Sequence, residues 1–247
     1  MNVLIWPAAL LIGIVLGMFG AGGGMATVPA LIYLADMSVK DSIAMSLWVV
    51  AIVSATALIL QQPWRDLQIR LLVTFGVSGI IGSVIGSLWS QWIPEQIQLA
   101  MFAILILLVT VWLTRIELSN RITVFRFIPA SITGLVIGIL TGILGVGGGF
   151  LLVPALIYLG IGHFPTAVAH SLVLIVLNAL AGAITHLGET SFSLSMALSF
   201  SAVAAIGSAL GGVLLKRLPA QQLQRYFSIL LVILGALMAW RSLTHGS

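Results

Sequence analysis

Cysteine is absent from this chain, and charged side chains are scarce. Only 6% of its 247 residues are Asp, Glu, Lys or Arg, whereas a soluble domain carries roughly 25%. The lack of cysteine excludes disulfides, thiol catalysis and thiolate-ligated metals. The lack of charge, together with 60% hydrophobic residues, excludes an ordinary soluble fold and predicts a polytopic membrane protein.

Charged residues are also missing from the middle of every apolar segment. A proton relay through a buried carboxylate therefore has no obvious candidate. The sequence shows no metal-ligand spacing, no phosphate-binding loop and no nucleophile–base pair, so we expect no metal, no cofactor and no catalysis. The net charge of +4 is small and lies in short loops, which indicates a topology signal and not a nucleic-acid-binding surface.

A glycine-rich phrase occurs twice in the chain, 125 positions apart. The first copy, at 17–24, reads GMFGAGGG and is followed by PALIYL at 29–34. The second copy, at 142–149, reads GILGVGGG and is followed by PALIYL at 154–159. Between residues 12 and 34, 15 of 23 residues are identical to the residue 125 positions later. A repeat this clear determines the architecture.

We predict an all-α polytopic membrane protein of two homologous halves, residues 1–120 and 121–247, within one integral membrane domain. Each half contains a glycine-broken helix with a short re-entrant helix, plus about three further transmembrane helices. The basic loops are at 65–70, 115–126 and 216–225. All three lie in the cytoplasm only if the helices before and after each glycine run together return the chain to the side of the membrane from which it entered. The halves then form an inverted repeat. If the two helices counted as one crossing, the last basic loop would lie outside the cytoplasm.

Three consecutive glycines cost helix stability, and inside a membrane such backbone is tolerated only when it is packed in protein or lines a cavity. The helix that follows presents unpaired N–H groups and the positive end of its dipole, which suit an anion. We therefore predict a small-anion site near the midplane. Its predicted lining includes Gly22, Gly23, Gly24, Gly147, Gly148 and Gly149. Tight packing is the alternative for these glycines, and it is our interpretation of the spacing Gly13/Gly17 and Gly82/Gly86.

Four polar residues in the apolar segments complete the predicted site. Ser46 and Ser171 occupy equivalent positions in the two halves, and His170 precedes Ser171. His170 and Asn178 are eight residues apart and therefore share a helix face. His170 can donate to an anion or carry a proton. A histidine that is merely hydrogen-bonded near a helix end is the alternative.

The motifs resemble those of the TauE/SafE family of bacterial membrane transporters. The resemblance rests on the pattern G-x-x-G-x-G-G-G-x-x-x-x-P-x-L, present twice, with A-x-S-L about 15 residues after each proline. It covers essentially the whole chain. Family members are associated with export of sulfite or with transport of organosulfur anions such as sulfoacetate, so the resemblance implies a similar activity in a bacterial inner membrane. Where the family often has threonine before the serine, this chain has Met45 and His170.

From these observations we predict a secondary transporter, not an enzyme, for a small anion, and the resemblance implies a sulfur-containing one such as sulfite or a sulfonate. It would work by alternating access around the two glycine runs. Its partners would be the small anion and the lipid bilayer, with no nucleic acid, and a homodimer is left open. The first alternative is an uptake carrier for another small anion or organic acid, proton-coupled through His170. An intramembrane enzyme and a structural subunit are more distant alternatives.

Overall fold

All regular structure in the described part of the chain is helical, which confirms the predicted all-α class. The computed structural model describes residues 4–20, 23–62, 67–115, 127–145, 147–161, 164–186 and 193–219, together with 222, 223, 225, 226, 229 and 232. The helices are α1 (Ile5–Phe19), α2 (Gly23–Leu34), α3 (Val39–Gln61), α4 (Ile69–Ser90), α5 (Glu95–Arg115), α6 (Phe127–Leu144), α7 (Gly149–Tyr158), α8 (Phe164–Thr185) and α9 (Leu194–Arg217). Four of these, α3, α4, α8 and α9, are long and apolar enough to cross a membrane.

The sequence repeat is also a repeat of helices. Helices α1 to α4 correspond to α6 to α9, and their bounds agree within three residues of the 125-residue offset. The first helix of each half packs against the fourth helix of the other half, α1 on α9 and α6 on α4. The third helices, α3 and α8, contact each other, and each also contacts the fourth helix of the other half. The two halves therefore share one core. The predicted boundary between residues 120 and 121 lies outside the described residues.

Glycines make these contacts between the halves unusually close. A side-chain carbon added at Gly17 would lie 2.1 Å from the carbonyl oxygen of Ser208 on α9, and at Gly13 one would lie 1.8 Å from the α9 backbone. Gly82 and Gly86 on α4 approach the backbone of α6 in the same way, at 2.3 and 2.1 Å. Lipid tails are as apolar as leucine, so close backbone packing is a main source of helix association in a membrane. The packing interpretation of these four glycines is confirmed.

Helices α4 and α8 run in the same direction. Gly79 of α4 lies beside Asn178 of α8, and Ser87, further along α4, lies beside Gly182, further along α8. The interface contains small and polar residues from both helices, so their backbones approach closely.

The helices after the glycine runs are short. Helix α7 has 10 residues, about 15 Å at the usual rise, which is roughly half the ~30 Å hydrocarbon thickness of a bilayer. Pro29 lies inside α2 and Pro154 inside α7. Each proline removes one backbone hydrogen bond, yet α2 continues to Leu34 and α7 to Tyr158.

Replacing Gly17 with valine should destabilise the protein, because the added carbons overlap the backbone of Ser208. Overpacking of this kind costs about 1–3 kcal/mol, and more where backbone must move. Leu11→Val on the same helix is the control, since Leu11 is 61% exposed. Thermal unfolding of the purified protein in detergent should show a clear decrease in Tm for Gly17→Val only. Equal Tm values for the two variants would contradict the close packing of α1 on α9.

Candidate functional site

The two broken helices end in the same way. Gly20 follows α1 with φ 54°, and its N–H donates to the carbonyl oxygen of Leu16 at 2.8 Å. Gly145 follows α6 with φ 68°, and its N–H donates to the carbonyl oxygen of Thr141 at 2.9 Å. A left-handed residue after the last turn is a common helix stop, and glycine adopts it without a Cβ penalty. Each helix therefore terminates at the first glycine after its apolar segment.

Each break is bonded to a serine of the other half. The Ser171 hydroxyl, on α8, donates to the carbonyl oxygen of Gly20 at 2.7 Å. The Ser46 hydroxyl, on α3, donates to the carbonyl oxygen of Gly145. Each hydroxyl also lies 2.8 Å from a carbonyl of its own helix, so its single proton is shared between two acceptors. A helix end leaves backbone carbonyls without intrahelical partners, and at each break one carbonyl thus receives a donor from the other half.

The second glycine run passes between helices of both halves. A carbon added at Gly147 would lie 2.5 Å from Val50 of α3 and 3.3 Å from Ile175 of α8. A carbon added at Gly148 would lie 2.3 Å from the hydroxyl oxygen of Thr141 on α6. Both glycines have positive φ, 67° and 69°, a conformation that side-chain-bearing residues rarely adopt. The backbone therefore turns back along α6 in a space that excludes side chains.

Helix α7 starts immediately after this turn. The carbonyl of Gly148 accepts from the N–H groups of Leu151 at 3.0 Å and Leu152 at 2.9 Å. Gly149 and Phe150, which form the buried first turn, carry N–H groups that have no partner within the helix. They lie at the positive end of the helix dipole. This end can bind an anion through backbone groups alone.

The first glycine run is described only in part. Gly22 lies outside the described residues. Helix α2 begins at Gly23, and Gly24 is buried in its first turn. The described part therefore has the same order as the second half, with a glycine stop, a glycine run and a short helix.

His170 is fully buried and uses both ring nitrogens. Its Nε2 accepts from the backbone N–H of Gln68, just before α4, at 2.8 Å. Its Nδ1 donates to the carbonyl oxygen of Thr166 at 2.8 Å. Because a backbone N–H can only donate, Nε2 is an acceptor and the imidazole is neutral. In this arrangement His170 holds the start of α4 against α8.

Asn178 faces α4, as His170 does, so the prediction that the two residues share a helix face is confirmed. The Asn178 carboxamide oxygen lies 2.6 Å from the position of a carbon added at Gly79, and the Ser83 hydroxyl donates to the Asn178 carbonyl at 2.6 Å. The carboxamide is completely buried, and neither its oxygen nor its nitrogen has a partner in the described part of the chain. Asn178 lies one turn beyond Ile175, which borders the second glycine run.

The predicted site residues thus fall in three places. Gly147, Gly148, Gly149 and Ser46 gather at the second break, Ser171 lies at the first break, and His170 and Asn178 lie against α4. The sequence reasoning omitted Gly20, Gly145, Thr141, Val50 and Ile175. The two glycine stops could have been found, because a glycine directly after an apolar run is a helix-stop signal. The other three are ordinary residues of apolar segments, and no sequence signal distinguishes them.

Comparison with known proteins places this arrangement among membrane transporters. The family model described as "Sulfite exporter TauE/SafE" matches residues 5–238. The chain is 29% identical to a "Probable membrane transporter protein" of Xylella fastidiosa (strain Temecula1), covering 94% of this chain and 92% of the relative. It is 24% identical to MJ0441 of Methanocaldococcus jannaschii, covering 95% and 96%, and 23% identical to YunE of Bacillus subtilis, covering 98% of both. Both carry the same description as probable membrane transporters. No solved structure matches the chain.

Replacing Ser46 or Ser171 with alanine should lower the free energy of unfolding by about 1–3 kcal/mol, because each leaves a buried glycine carbonyl without its donor. Ser54→Ala on α3 is the matched control, since the buried Ser54 hydroxyl has no partner in the described part of the chain. Removing that hydroxyl should be neutral or slightly stabilising. Reversible unfolding in mixed micelles measures all three. A loss for Ser54→Ala equal to that for Ser46→Ala would contradict a specific role for the crossed bonds.

Proposed function

This chain belongs to the sulfite exporter TauE/SafE family, and we propose that it exports sulfite or a small sulfonate from the bacterial cytoplasm by alternating access around its paired helix breaks. Family membership and the names of its relatives show that the protein is a multi-pass membrane transporter and not an enzyme. The substrate class is supported by the description of the family and by the chemistry of the breaks.

The position of Gly147 carries the proposal. A carbon added at Gly147 would lie within 3.3 Å of both Val50 and Ile175, which are equivalent residues of the two halves, 125 positions apart. A residue that contacts both members of an equivalent pair lies close to the axis that relates the halves. This supports a site at the interface of the two halves, with backbone donors of the second glycine run that would bind the oxygens of a small oxyanion.

The relative helix directions support an inverted repeat. Helices α3 and α4 are joined by residues 62–68, too short a connection to return across a bilayer, so two such spans run in opposite directions. Because α4 and α8 run in the same direction, α3 and its repeat equivalent α8 run in opposite directions. In this arrangement Arg70, at the start of α4, and Lys216, at the end of α9, lie on the same side of the membrane. This agrees with the expectation that the basic loops are all cytoplasmic.

Export of an anion needs no coupling ion under a normal membrane potential. An inside-negative potential favours anion exit by about 2.3 kcal/mol per charge per 100 mV. In the described helices the acidic residues are Asp41 and Glu95, both in first turns. The engagement of both His170 nitrogens also supports transport without proton transfer at this residue.

Flux through proteoliposomes tests the proposal. Sulfite and sulfoacetate should each cross with a rate that follows an imposed potential of either sign. Gly148→Val should abolish the flux, because valine at φ 69° is strained and meets Thr141. Gly76→Ala is the control, since a carbon there meets only leucine methyl groups, at 3.3 Å or more. Normal flux in a folded Gly148→Val protein would remove the glycine run from the mechanism. Absence of flux for every sulfur oxyanion would refute the substrate assignment.

A histidine variant distinguishes export that is not coupled to protons from proton-coupled transport through His170. His170→Met reproduces Met45, the equivalent residue of the first half. We expect it to lower stability, because the N–H of Gln68 loses its acceptor, while the dependence of flux on pH keeps its shape. His186→Gln, which reproduces Gln61, is the matched control, directly after the end of the same helix. If an imposed pH gradient drives flux in the wild type and in His186→Gln but not in His170→Met, proton-coupled transport through His170 replaces our proposal.

A further inference from the structure

A cleft of about 250 Å³ lies between the C-terminal ends of α3 and α9, away from the glycine runs. Leu60 and Gln61 of α3 form one wall, and residues of α9 from Ser208 to Lys216 form the other. Leu60 and Val213 at its edges are about half exposed, so the cleft is accessible from the protein surface.

The polar groups of the cleft include a buried donor and a cation. The Ser208 hydroxyl is completely buried and has no partner in the described part of the chain. Lys216 lies at the other end of the cleft, in the last turn of α9. A buried hydroxyl without a partner is unfavourable, and a ligand that accepts its hydrogen bond removes that penalty. The residues that line the cleft carry one positive charge and no negative charge.

The cleft is adjacent to the first helix break. The Gln61 side-chain amide donates to the carbonyl oxygen of Gly17 at 2.9 Å. Gly17 lies three residues before Gly20, where α1 stops. The backbone of α1 at Gly17 also packs directly on Ser208. A molecule bound in the cleft would therefore lie next to the last turn of α1.

The equivalent positions of the other half do not reproduce this chemistry. Residues 125 positions from Lys216 and Gln61 are Gln91 and His186. Gly212, which leaves room beside Gln61, corresponds to Ser87. The positive charge of the cleft therefore has no counterpart in the first half. It lies on the side of the membrane that we assign to the cytoplasm.

We infer that this cleft binds a small oxyanion through Lys216 and Ser208, and that the transported anion is loaded there from the cytoplasm. The cleft would hold about eight water molecules at ~30 Å³ each, so an ion the size of sulfite fits together with some of its water. An ammonium group and a hydroxyl donor suit an oxyanion. The side and identity of the anion rest on the proposed function, whereas its binding in the cleft does not.

The absence of cysteine allows a site-specific chemical test. Ala209→Cys introduces a single thiol at a partly exposed residue of the lining. In inside-out membrane vesicles, an anionic methanethiosulfonate reagent should label this thiol faster than a cationic one of similar size. Adding Lys216→Gln, which reproduces Gln91, should lower the ratio of the two rates by about tenfold, within the range of local electrostatic steering. Arg217→Gln, a neighbouring charge that does not line the cleft, should change the ratio much less.

Protection by a ligand completes the test. Sulfoacetate is the probe, because sulfite reacts with the labelling reagents themselves. It should slow labelling of Ala209→Cys, whereas chloride at the same ionic strength should not. Lys216→Gln should raise the half-protecting concentration by about tenfold, equivalent to the loss of one good charged contact, and Ser208→Ala should raise it as well.

Each of the following results would overturn the inference. The first is equal protection by chloride. The second is an equal effect of Lys216→Gln and Arg217→Gln. The third is labelling from the periplasmic side only. A fourth comparison uses nanodiscs of zwitterionic lipid with and without anionic lipid. If anionic lipid alone blocks the thiol and sulfoacetate has no effect, the cleft is a lipid headgroup site and the inference is wrong.

Labelling does not depend on transport, so the two proposals fail separately. Protection by sulfoacetate in a protein that moves no sulfur oxyanion would refute the proposed substrate and leave the cleft as an oxyanion site. Sulfoacetate flux with an unprotected cleft would refute this inference alone.

Discussion

Two crossed hydrogen bonds, from Ser171 to Gly20 and from Ser46 to Gly145, hold the rest of this structure in place. A helix that stops inside a membrane leaves backbone carbonyls that no water can satisfy, and each would be costly if left unpaired. The serine hydroxyls supply the missing donors from the opposite half. The breaks are therefore stable only when the halves are assembled, which agrees with a core in which the first helix of each half packs on the fourth helix of the other.

This arrangement gives the breaks a double use. The left-handed glycines that stop the helices and turn the backbone also leave the first turn of α7 next to them, with its N–H groups unpaired within the helix. Gly147 lies between equivalent residues of α3 and α8, so any shift of one half relative to the other changes its surroundings. A substrate bound at this point would therefore be sensitive to the relative position of the halves, as alternating access requires.

At three positions a polar residue of the second half has an apolar or uncharged counterpart in the first half. His170, Asn178 and Lys216 correspond to Met45, Val53 and Gln91. His170 accepts a hydrogen bond from the backbone just before α4, and Asn178 places a polar group in the contact between α8 and α4. Lys216 borders the cleft at the end of α9. These differences break the equivalence of the two sides of the membrane. A transporter with a preferred direction of loading needs such an asymmetry.

The sequence was sufficient for the features that repeat or that are local. The 125-residue offset predicted equivalent helices, the apolar segments predicted the spans, and the eight-residue spacing placed His170 and Asn178 on one face. It could not predict partners that are distant in the chain. Ser171 bonds to a residue 151 positions away, and His170 to one 102 positions away. Such contacts depend on which helices meet and how they cross. Glycine spacing within one segment indicates a closely packed face but does not identify the helix that packs on it.

The position of a bound oxyanion in the assembled protein tests most directly whether the broken helices form the transport site. Selenite resembles sulfite, and its selenium can be located by anomalous scattering in crystals soaked with it. We expect a peak within hydrogen-bond distance of the backbone nitrogens between Gly147 and Phe150, with sulfite displacing it. If the protein transports sulfite but selenite binds only away from both glycine runs, the broken helices do not form the transport site.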